Sequence, residues 1–441
     1  MSEPVSTSPL SRALKNFGVL MGGRAVGGVA SVVALTLVAR LLGASDFGIL
    51  VLVHTTAVVV RGLLNFKPSD TLVRYGVTPF DEKDDANLSA ILRFTMGLDL
   101  LTATLATLVT VIAMGVLAPR FGLPPELGMP AMLYALTLLF SGIGTAKGVL
   151  RLADRFDAIS VQQTVGPCMR LLGIGVVYLV GGGLVGYLIV WALSLMAEYL
   201  YLNVRGWVEL KRQGLHPGLP QLRGAGTRFP GLWQFVRTLY WQSNLDLAQR
   251  HGLILLAGAF LGSSGAGMFR IAREFADVLA KPVVVIRQAV FPDLARLWRE
   301  QDPRFKTLYM RLGFLGGAIA VVVVLLIGAF GKELLGALVG AEYVYGAPLL
   351  TWLMLAAAVE LVGATLRPAA YAMGAASAAL RVQLVSAACH VALFVLLVLA
   401  LGLTGAGIAA AVASVLLMAG MLWLVGTYAS RSPSGERETP Q

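Results

Sequence analysis

The residues best suited to chemistry lie in one apolar stretch near the middle of the chain, residues 244–281. A charged side chain at the centre of a bilayer costs at least ~3 kcal/mol, so such groups normally face a bundle interior or a water-filled cavity. On a helix that advances about 100° per residue, the last five of the charged residues here form one polar stripe. Seven charged residues interrupt the stretch: Asp246, Arg250, Arg270, Arg273, Glu274, Asp277 and Lys281.

This pattern predicts the binding of an anionic solute inside the membrane. Together with Arg24 in the first apolar segment and Arg170 in the fifth, the central region has six cations against three carboxylates. The carboxylates are predicted to exchange a proton or bind Na⁺. The predicted ligands of the anion are Arg24, Arg250, Arg270, Arg273 and Lys281, and the carboxylates predicted to take up the ion are Asp246, Glu274 and Asp277.

A purely structural role for these charges competes with the binding role. Arg24 can pair with Asp99 or Glu198, and Asp99, Glu198 and Glu360 together would cancel the cationic excess if they faced inward. The single histidines His54 and His390 are interpreted as packed, hydrogen-bonded residues. Four pairs of opposite charge have the i, i+4 spacing of intrahelical ion pairs: Asp246 with Arg250, Arg270 with Glu274, Arg273 with Asp277, and Asp277 with Lys281.

The composition is that of a polytopic membrane protein. Of the 441 residues, 57% are hydrophobic and only 13% charged, and the mean hydropathy is +0.77. We expect an all-α integral membrane protein with twelve transmembrane helices, in two six-helix lobes related by pseudo-two-fold symmetry along the membrane normal. The predicted spans lie near residues 16–40, 47–65, 88–118, 129–150, 159–181, 185–208, 231–259, 265–290, 307–330, 346–373, 378–402 and 404–428.

The connections between spans predict the topology. Arg and Lys concentrate in the even-numbered connections and in both tails, which places both termini in the cytoplasm. The net charge of +11 therefore has a membrane explanation, and nucleic acid is not an expected partner. The acidic run at 81–85 is interpreted as a solvated loop. The predicted parts are a tail at 1–15, an N-lobe at 16–208, an inter-lobe loop and hinge at 209–229, a C-lobe at 230–428 and a tail at 429–441.

Two further patterns bear on organisation and chemistry. The segment LGASDFG at 42–48 matches LGSSGAG at 261–267 with an offset of 219, and Gly97 and Gly186 match Gly316 and Gly405 with the same offset. Because this offset corresponds to six spans, the halves are predicted to be parallel repeats. No Gly-rich nucleotide loop and no His/Cys cluster with metal-ligand spacing occurs in the sequence, so we expect neither a cofactor nor an enzyme.

The chain resembles the polysaccharide-transport branch of the multidrug/oligosaccharidyl-lipid/polysaccharide flippase superfamily. The resemblance rests on the twelve spans, on LTLVARLLGASDFGILVL at 35–52, LLAGAFLGSSGAGMFRIA at 255–272 and GLTGAGIAAAVAS at 402–414, and on Val290-Phe291-Pro292, where span eight is predicted to close. Such proteins move undecaprenyl-diphosphate-linked oligosaccharides from the cytoplasmic to the periplasmic leaflet for O-antigen, capsule or exopolysaccharide assembly. The resemblance implies alternating access driven by H⁺ or Na⁺, a bacterial inner-membrane location, and membrane lipids, a polymerase and export proteins as partners.

Other functions compete with this interpretation. A lipid II flippase of the same superfamily typically has fourteen spans, whereas twelve are counted here. A multidrug extrusion transporter prefers an acidic cavity, whereas the excess here is basic. A membrane-embedded polysaccharide polymerase or ligase generally carries a large periplasmic loop, and the outside connections of this chain are too short for one. A member that scaffolds other envelope proteins without transporting anything is also compatible with the sequence.

Overall fold

The computed structural model describes residues 9–117, 124–247 and 251–430. These ranges contain helices and turns and no strand. They form two compact units, Met1–Leu255 and Leu256–Gln441. The first unit holds α1 (Pro9–Leu63), α2 (Pro68–Asp81), α3 (Asp85–Leu117), α4 (Gly128–Ala135), α5 (Gly144–Leu152), α6 (Phe156–Val180), α7 (Gly183–Arg212), α8 (Ala225–Arg228) and α9 (Leu232–Leu247).

The second unit begins within α10 (Leu253–Arg299). It continues with α11 (Arg304–Leu338), α12 (Ala347–Val362), α13 (Leu366–Ala372), α14 (Ala376–Leu401) and α15 (Leu403–Ser430). Short 3₁₀ turns at Pro125–Leu127, Leu136–Ser141, Ala341–Gly346 and Gly363–Thr365 complete the described helices of both units.

Two glycines break the two longest helices, α1 and α10. Ten helical segments of the described chain are long and apolar enough to cross a membrane. Gly43 breaks α1 with φ 74° and ψ 175°, and Gly262 breaks α10 with φ 72° and ψ −173°. The described helices are long, apolar and joined by short turns, so the predicted all-α membrane architecture is confirmed. The connections GASD and GSSG are thus reduced to a single non-helical residue each.

The predicted repeat is visible in the backbone itself. Gly43 and Gly262 are separated by the offset of 219 and share nearly the same dihedral angles, in a region that only glycine enters readily. Gly183 and Gly402 have the same offset and also adopt positive φ, 53° and 61°. The two halves therefore turn at equivalent places for the same stereochemical reason.

The connection between predicted spans two and three contains a helix, α2. It begins with Pro68 at its first turn and buries Leu72, which packs against Gly148 of α5. Asp84 follows it and accepts a hydrogen bond from the Asn87 backbone N–H at 3.0 Å, which lowers the pKa of the Asp84 carboxyl. The acidic run lies between the end of α2 and the start of α3, and four of its five residues are exposed, in agreement with the predicted solvated loop before a helix.

The central connection is also more ordered than a bare hinge. Leu210, Leu215, Ala225 and Phe229 are buried in one apolar cluster with residues of α2, α3 and α5. The Gln221 backbone N–H donates to the Arg93 carbonyl of α3 at 3.0 Å. Residues 209–229 thus pack within the first unit, and their role as a hinge stays a prediction.

Span eight is predicted to close at 290–292. Helix α10 instead continues past Pro292 to Arg299.

Glycine also sets the close approach of α14 and α15 in the second unit. A Cβ on Gly405 would overlap the carbonyl oxygen of Leu397. We expect Gly405→Ala to destabilise the protein by about 1–3 kcal/mol, because the helices must separate to admit the methyl group. Gly426→Ala on the same helix is the control, since a Cβ there meets nothing within 4 Å. Thermal unfolding of both variants in detergent tests this, and equal unfolding temperatures would contradict it.

Candidate functional site

The polar stripe of span eight lies on the part of α10 that follows Gly262. Arg270 and Glu274 form an ion pair of 2.8 Å, with side-chain exposures of 27% and 17%. Arg273 is also half-buried, whereas Asp277 is exposed. One of the four predicted i, i+4 pairs is therefore formed. Because it is half-buried, the electrostatic attraction between its two charges is stronger than at a fully exposed surface.

The stripe residue Arg273 lies near a polar seam on α14. Phe269 of α10 and Phe394 of α14 pack edge to face at 5.6 Å between ring centroids, which brings the two helices together. The positive charge of Arg273 acts on His390. Within the described chain, the buried His390 Nε2 and Gln383 Nε2 atoms have no hydrogen-bond partner. Buried polar atoms are nearly always satisfied, so this seam suits a bound water or a ligand group.

Arg24 is exposed on α1 between two glycines that approach α6 closely. The Cβ positions of Gly23 and Gly27 would collide with Ser160 and with the Gln163 carbonyl of that helix. As predicted, the glycines admit a neighbour at short range. Among the residues that the structure describes, no carboxylate forms an ion pair with Arg24, so the alternative pairing with Asp99 or Glu198 is not found.

The carboxylate of Asp99 pairs with backbone amides rather than with Arg24, the partner considered in the structural alternative. Helical structure in predicted span four stops at Ser141, passes through Gly142 and Ile143, and resumes with α5 at Gly144. Asp99 accepts hydrogen bonds from the backbone N–H groups of Gly144 at 3.0 Å and Thr145 at 2.6 Å, and from Thr145 Oγ1 at 2.7 Å. Asp99 on α3 therefore caps the N-terminus of α5 across the break.

The remaining intramembrane residues of the first unit are held by packing contacts. Arg170 donates to Ser194 Oγ at 2.9 Å and lies 5.5 Å from the Trp191 ring centroid. Glu198 presses on the backbone at Gly166, where a Cβ would collide with its carboxylate. His54 Nδ1 and the Tyr134 hydroxyl are hydrogen-bonded at 2.7 Å, in line with the structural role expected for this histidine.

A polar cavity of about 160 Å³ lies inside the first unit, between the end of α1, the start of α2, α3 and α5. We call it the first-unit cavity. The break at Ile143 and Gly144 and the capping carboxylate of Asp99 line part of its wall. Four cations also line it, namely Arg61, Lys67, Lys147 and Arg151, and one further carboxylate, Asp70.

Sequence reasoning missed two of these cations as intramembrane charges. Arg61 lies in predicted span two and Lys147 in predicted span four, and both interrupt apolar runs, which was the available signal. Of the predicted site residues, Arg250 lies outside the described residues. For Asp246 and Lys281 the structure describes the backbone, in α9 and α10, but not the side chain. The structure brings Arg270, Arg273 and Glu274 together on one helix.

The described residues form ten helices that are long and apolar enough to cross a membrane, with charges inside the spans, which defines a multi-pass membrane protein. Residues 37–348 match the family described as polysaccharide biosynthesis protein, and the chain belongs to this family. The match agrees with the resemblance to proteins of polysaccharide biosynthesis that the sequence indicates. As expected, the chain is a membrane protein of a polysaccharide biosynthesis family.

Similar proteins agree with this assignment. The inner membrane protein YghQ of Escherichia coli (strain K12) is 26% identical over 337 residues, which cover 75% of this chain and 93% of that protein. An inward-facing multidrug resistance MATE family transporter of the MOP superfamily has a TM-score of 0.71 at 16% identity, with 92% and 96% of the two chains covered. The lipid II flippase MurJ, in an inward closed conformation, has a TM-score of 0.71 at 10% identity, with 94% and 87% covered. The chain therefore shares the fold of these structures and is a multi-pass membrane protein.

Proposed function

We propose that this protein is a flippase that moves an undecaprenyl-diphosphate-linked oligosaccharide from the cytoplasmic to the periplasmic leaflet. The glycan would serve O-antigen, capsule or exopolysaccharide assembly. The observation that carries the proposal is the surplus of arginine and lysine among the charges within the spans of a polysaccharide biosynthesis family member. A diphosphate cannot cross hydrocarbon unaided, whereas guanidinium groups bind phosphate oxygens in a bidentate way.

The proposed headgroup ligands are the stripe residues and Arg24. Arg270 and Arg273 are half-buried on α10, so they are partly removed from water and act strongly on an anion. Arg24 is exposed and without an ion pair among the described residues, and its charge is therefore available. Arg250 and Lys281 complete the proposed set by sequence position alone. The oligosaccharide would follow the headgroup while the polyprenyl tail stays in lipid.

A leaflet assay tests the function directly. The purified protein is reconstituted into vesicles that carry a fluorescently labelled polyprenyl-diphosphate oligosaccharide, and a membrane-impermeant quencher reports which leaflet holds the label. We expect the protected fraction to fall faster than in protein-free vesicles. Quenching no faster than in protein-free vesicles, from protein that is monodisperse and folded, would refute the flippase proposal. A longer glycan among the products would instead indicate a polymerase.

The orientation of the chain makes a separate prediction. Positive-inside bias places residues 209–229, which include Lys211, Arg212, Arg223 and Arg228, in the cytoplasm. Reporter fusions within this segment are expected to show cytoplasmic activity, and fusions at Gly262 are expected to show periplasmic activity. A fusion after Ser430 should report the cytoplasm, because both termini are proposed to lie there. Periplasmic activity within 209–229 would contradict the proposed topology.

Ion coupling is proposed for one of three carboxylates, with H⁺ or Na⁺ as the ion. Glu274 is engaged by Arg270, and Asp277 is exposed at the far end of the stripe. We expect Asp246→Asn, Glu274→Gln or Asp277→Asn to remove the dependence of transport on pH or on Na⁺, because the variant side chain no longer titrates. Transport rates measured across pH and Na⁺ concentration test this. Wild-type dependence in all three variants would place coupling elsewhere.

A further inference from the structure

The first-unit cavity has an excess of positive charge that the described protein does not neutralise. Arg151 is paired with Asp70 at 2.6 Å, so this pair cancels. The carboxylate of Asp99 accepts hydrogen bonds from Gly144 and Thr145. Among the described residues, no carboxylate forms an ion pair with the three remaining cations, Arg61, Lys67 and Lys147. Apart from the Arg151–Asp70 pair, the cavity therefore has three cations and one carboxylate, that of Asp99, which already accepts hydrogen bonds from α5.

The donor groups of these cations are available to a ligand. The Arg61 guanidinium carbon lies over the Tyr199 ring, 4.7 Å from its centroid, in a cation–π contact. In the described structure, neither the Arg61 side chain nor the Lys147 side chain donates a hydrogen bond to another residue. Positive charge collected in a partly enclosed site is unfavourable unless an anion accompanies it.

The backbone around the cavity is also unusual in two independent ways. Lys67 adopts a left-handed conformation, φ 54° and ψ 51°, directly before Pro68, where such a conformation is strained. The helical structure of span four is interrupted at Gly142 and Ile143. Non-helical backbone at membrane depth is tolerated where it is buried or lines a water-filled cavity, and interrupted helices mark binding sites in transporters. The strained residue Lys67 and the interrupted backbone at Ile143 both line the first-unit cavity.

We infer that the first-unit cavity is an oxyanion site for a diphosphate, held by Arg61, Lys67 and Lys147. The charge balance favours a diphosphate, because a diphosphate diester carries two negative charges and the cavity has two positive charges in excess. The site is separate in sequence and in unit from the stripe on α10. Its assignment to the transported lipid rests on the proposed function, whereas the anion site itself does not. A phospholipid headgroup offers the same phosphate chemistry with one charge fewer.

The experiment titrates the purified full-length protein with inorganic diphosphate by calorimetry, and with inorganic phosphate for comparison. We expect saturable, salt-sensitive diphosphate binding that is at least ten times tighter than phosphate binding. Lys147→Gln and Arg61→Gln are each expected to weaken diphosphate binding at least tenfold. Lys147→Arg, which keeps the charge, should bind within about threefold of wild type and guards against a folding defect in the glutamine variant. Lys211→Gln, at an exposed lysine on α7, is the matched control.

The outcomes separate this inference from the flippase proposal. The same diphosphate affinity in wild type and in Lys147→Gln would overturn the site, as would the absence of saturable binding. Protein in phosphatidylglycerol nanodiscs is titrated in parallel. Abolition of diphosphate binding there, but not in neutral nanodiscs, would overturn the diphosphate assignment in favour of a phospholipid headgroup. Failure of the flippase proposal would instead appear as no leaflet transfer with diphosphate binding intact.

Discussion

Replacement of Arg270 or Arg273 by alanine is expected to abolish glycan export while the protein still inserts and accumulates. Each arginine would lose a charge-assisted contact to phosphate that contributes about 1.5–3 kcal/mol, which corresponds to a roughly 10- to 150-fold slower rate per residue. Export is measured in cells that lack the native protein and in the leaflet assay. Arg299→Ala, at an exposed position near the end of the same helix, is expected to keep wild-type export.

The ion pair between Arg270 and Glu274 provides a decisive control for this prediction. At 2.8 Å and half-buried, the pair leaves an uncompensated carboxylate when Arg270 alone is removed. If the arginine served only to neutralise Glu274, the double variant Arg270→Ala with Glu274→Ala would regain function. If Arg270 holds phosphate, the double variant stays inactive. Full export by this double variant would reduce the stripe to a structural salt bridge.

Lysine substitutions distinguish phosphate binding from simple charge compensation. Arg270→Lys and Arg273→Lys keep the positive charge but lose the planar fork that grips two phosphate oxygens. We therefore expect partial export at best from either lysine variant. The same expectation applies to Arg24→Lys in the first unit. Wild-type export by all three lysine variants would show that only the charge at these positions matters.

The architecture was predictable because it depends on local composition and on repeated glycines. Apolar runs of about 20 residues specify spans in any sequence order. The pair Gly43 and Gly262 was also visible, because both lie in the short matching segments separated by 219 residues. What the sequence did not show is that each of these glycines, rather than a loop of four residues, makes the whole connection. That outcome depends on one backbone conformation that composition does not encode.

The first-unit cavity was not predictable, because it depends on contacts between distant segments. Lys147 is placed by the break at Gly142 and Ile143, and the break is capped by Asp99, which lies more than 40 residues earlier. Arg61 is oriented by Tyr199 on α7, farther still along the chain. The alternative pairing of Asp99 with Arg24 is not found for the same reason. A carboxylate in an apolar helix must accept hydrogen bonds from some donor groups. The sequence does not show that backbone amides are those donors.

The second large effect is expected at Asp99, the carboxylate that caps α5. Asp99 is 8% exposed and accepts three hydrogen bonds, two of them from backbone N–H groups. Asp99→Ala would leave these donors without a partner in a buried position, at a cost of about 1–3 kcal/mol for each unsatisfied group. We expect Asp99→Ala to lower the unfolding free energy by about 3 kcal/mol or more and to reduce accumulation in the membrane.

Milder substitutions test whether the capping contacts themselves cause this loss. Asp99→Asn keeps one acceptor oxygen and should cost less than Asp99→Ala, whereas Thr145→Val removes only the hydroxyl donor and should cost about 1 kcal/mol. Asp81→Ala, at an exposed aspartate at the end of α2, is the control and should change stability by less than about 0.5 kcal/mol. Unfolding of the purified variants in detergent gives the ranking. An Asp99→Ala variant as stable as Asp81→Ala would show that the cap does not hold α5 in place.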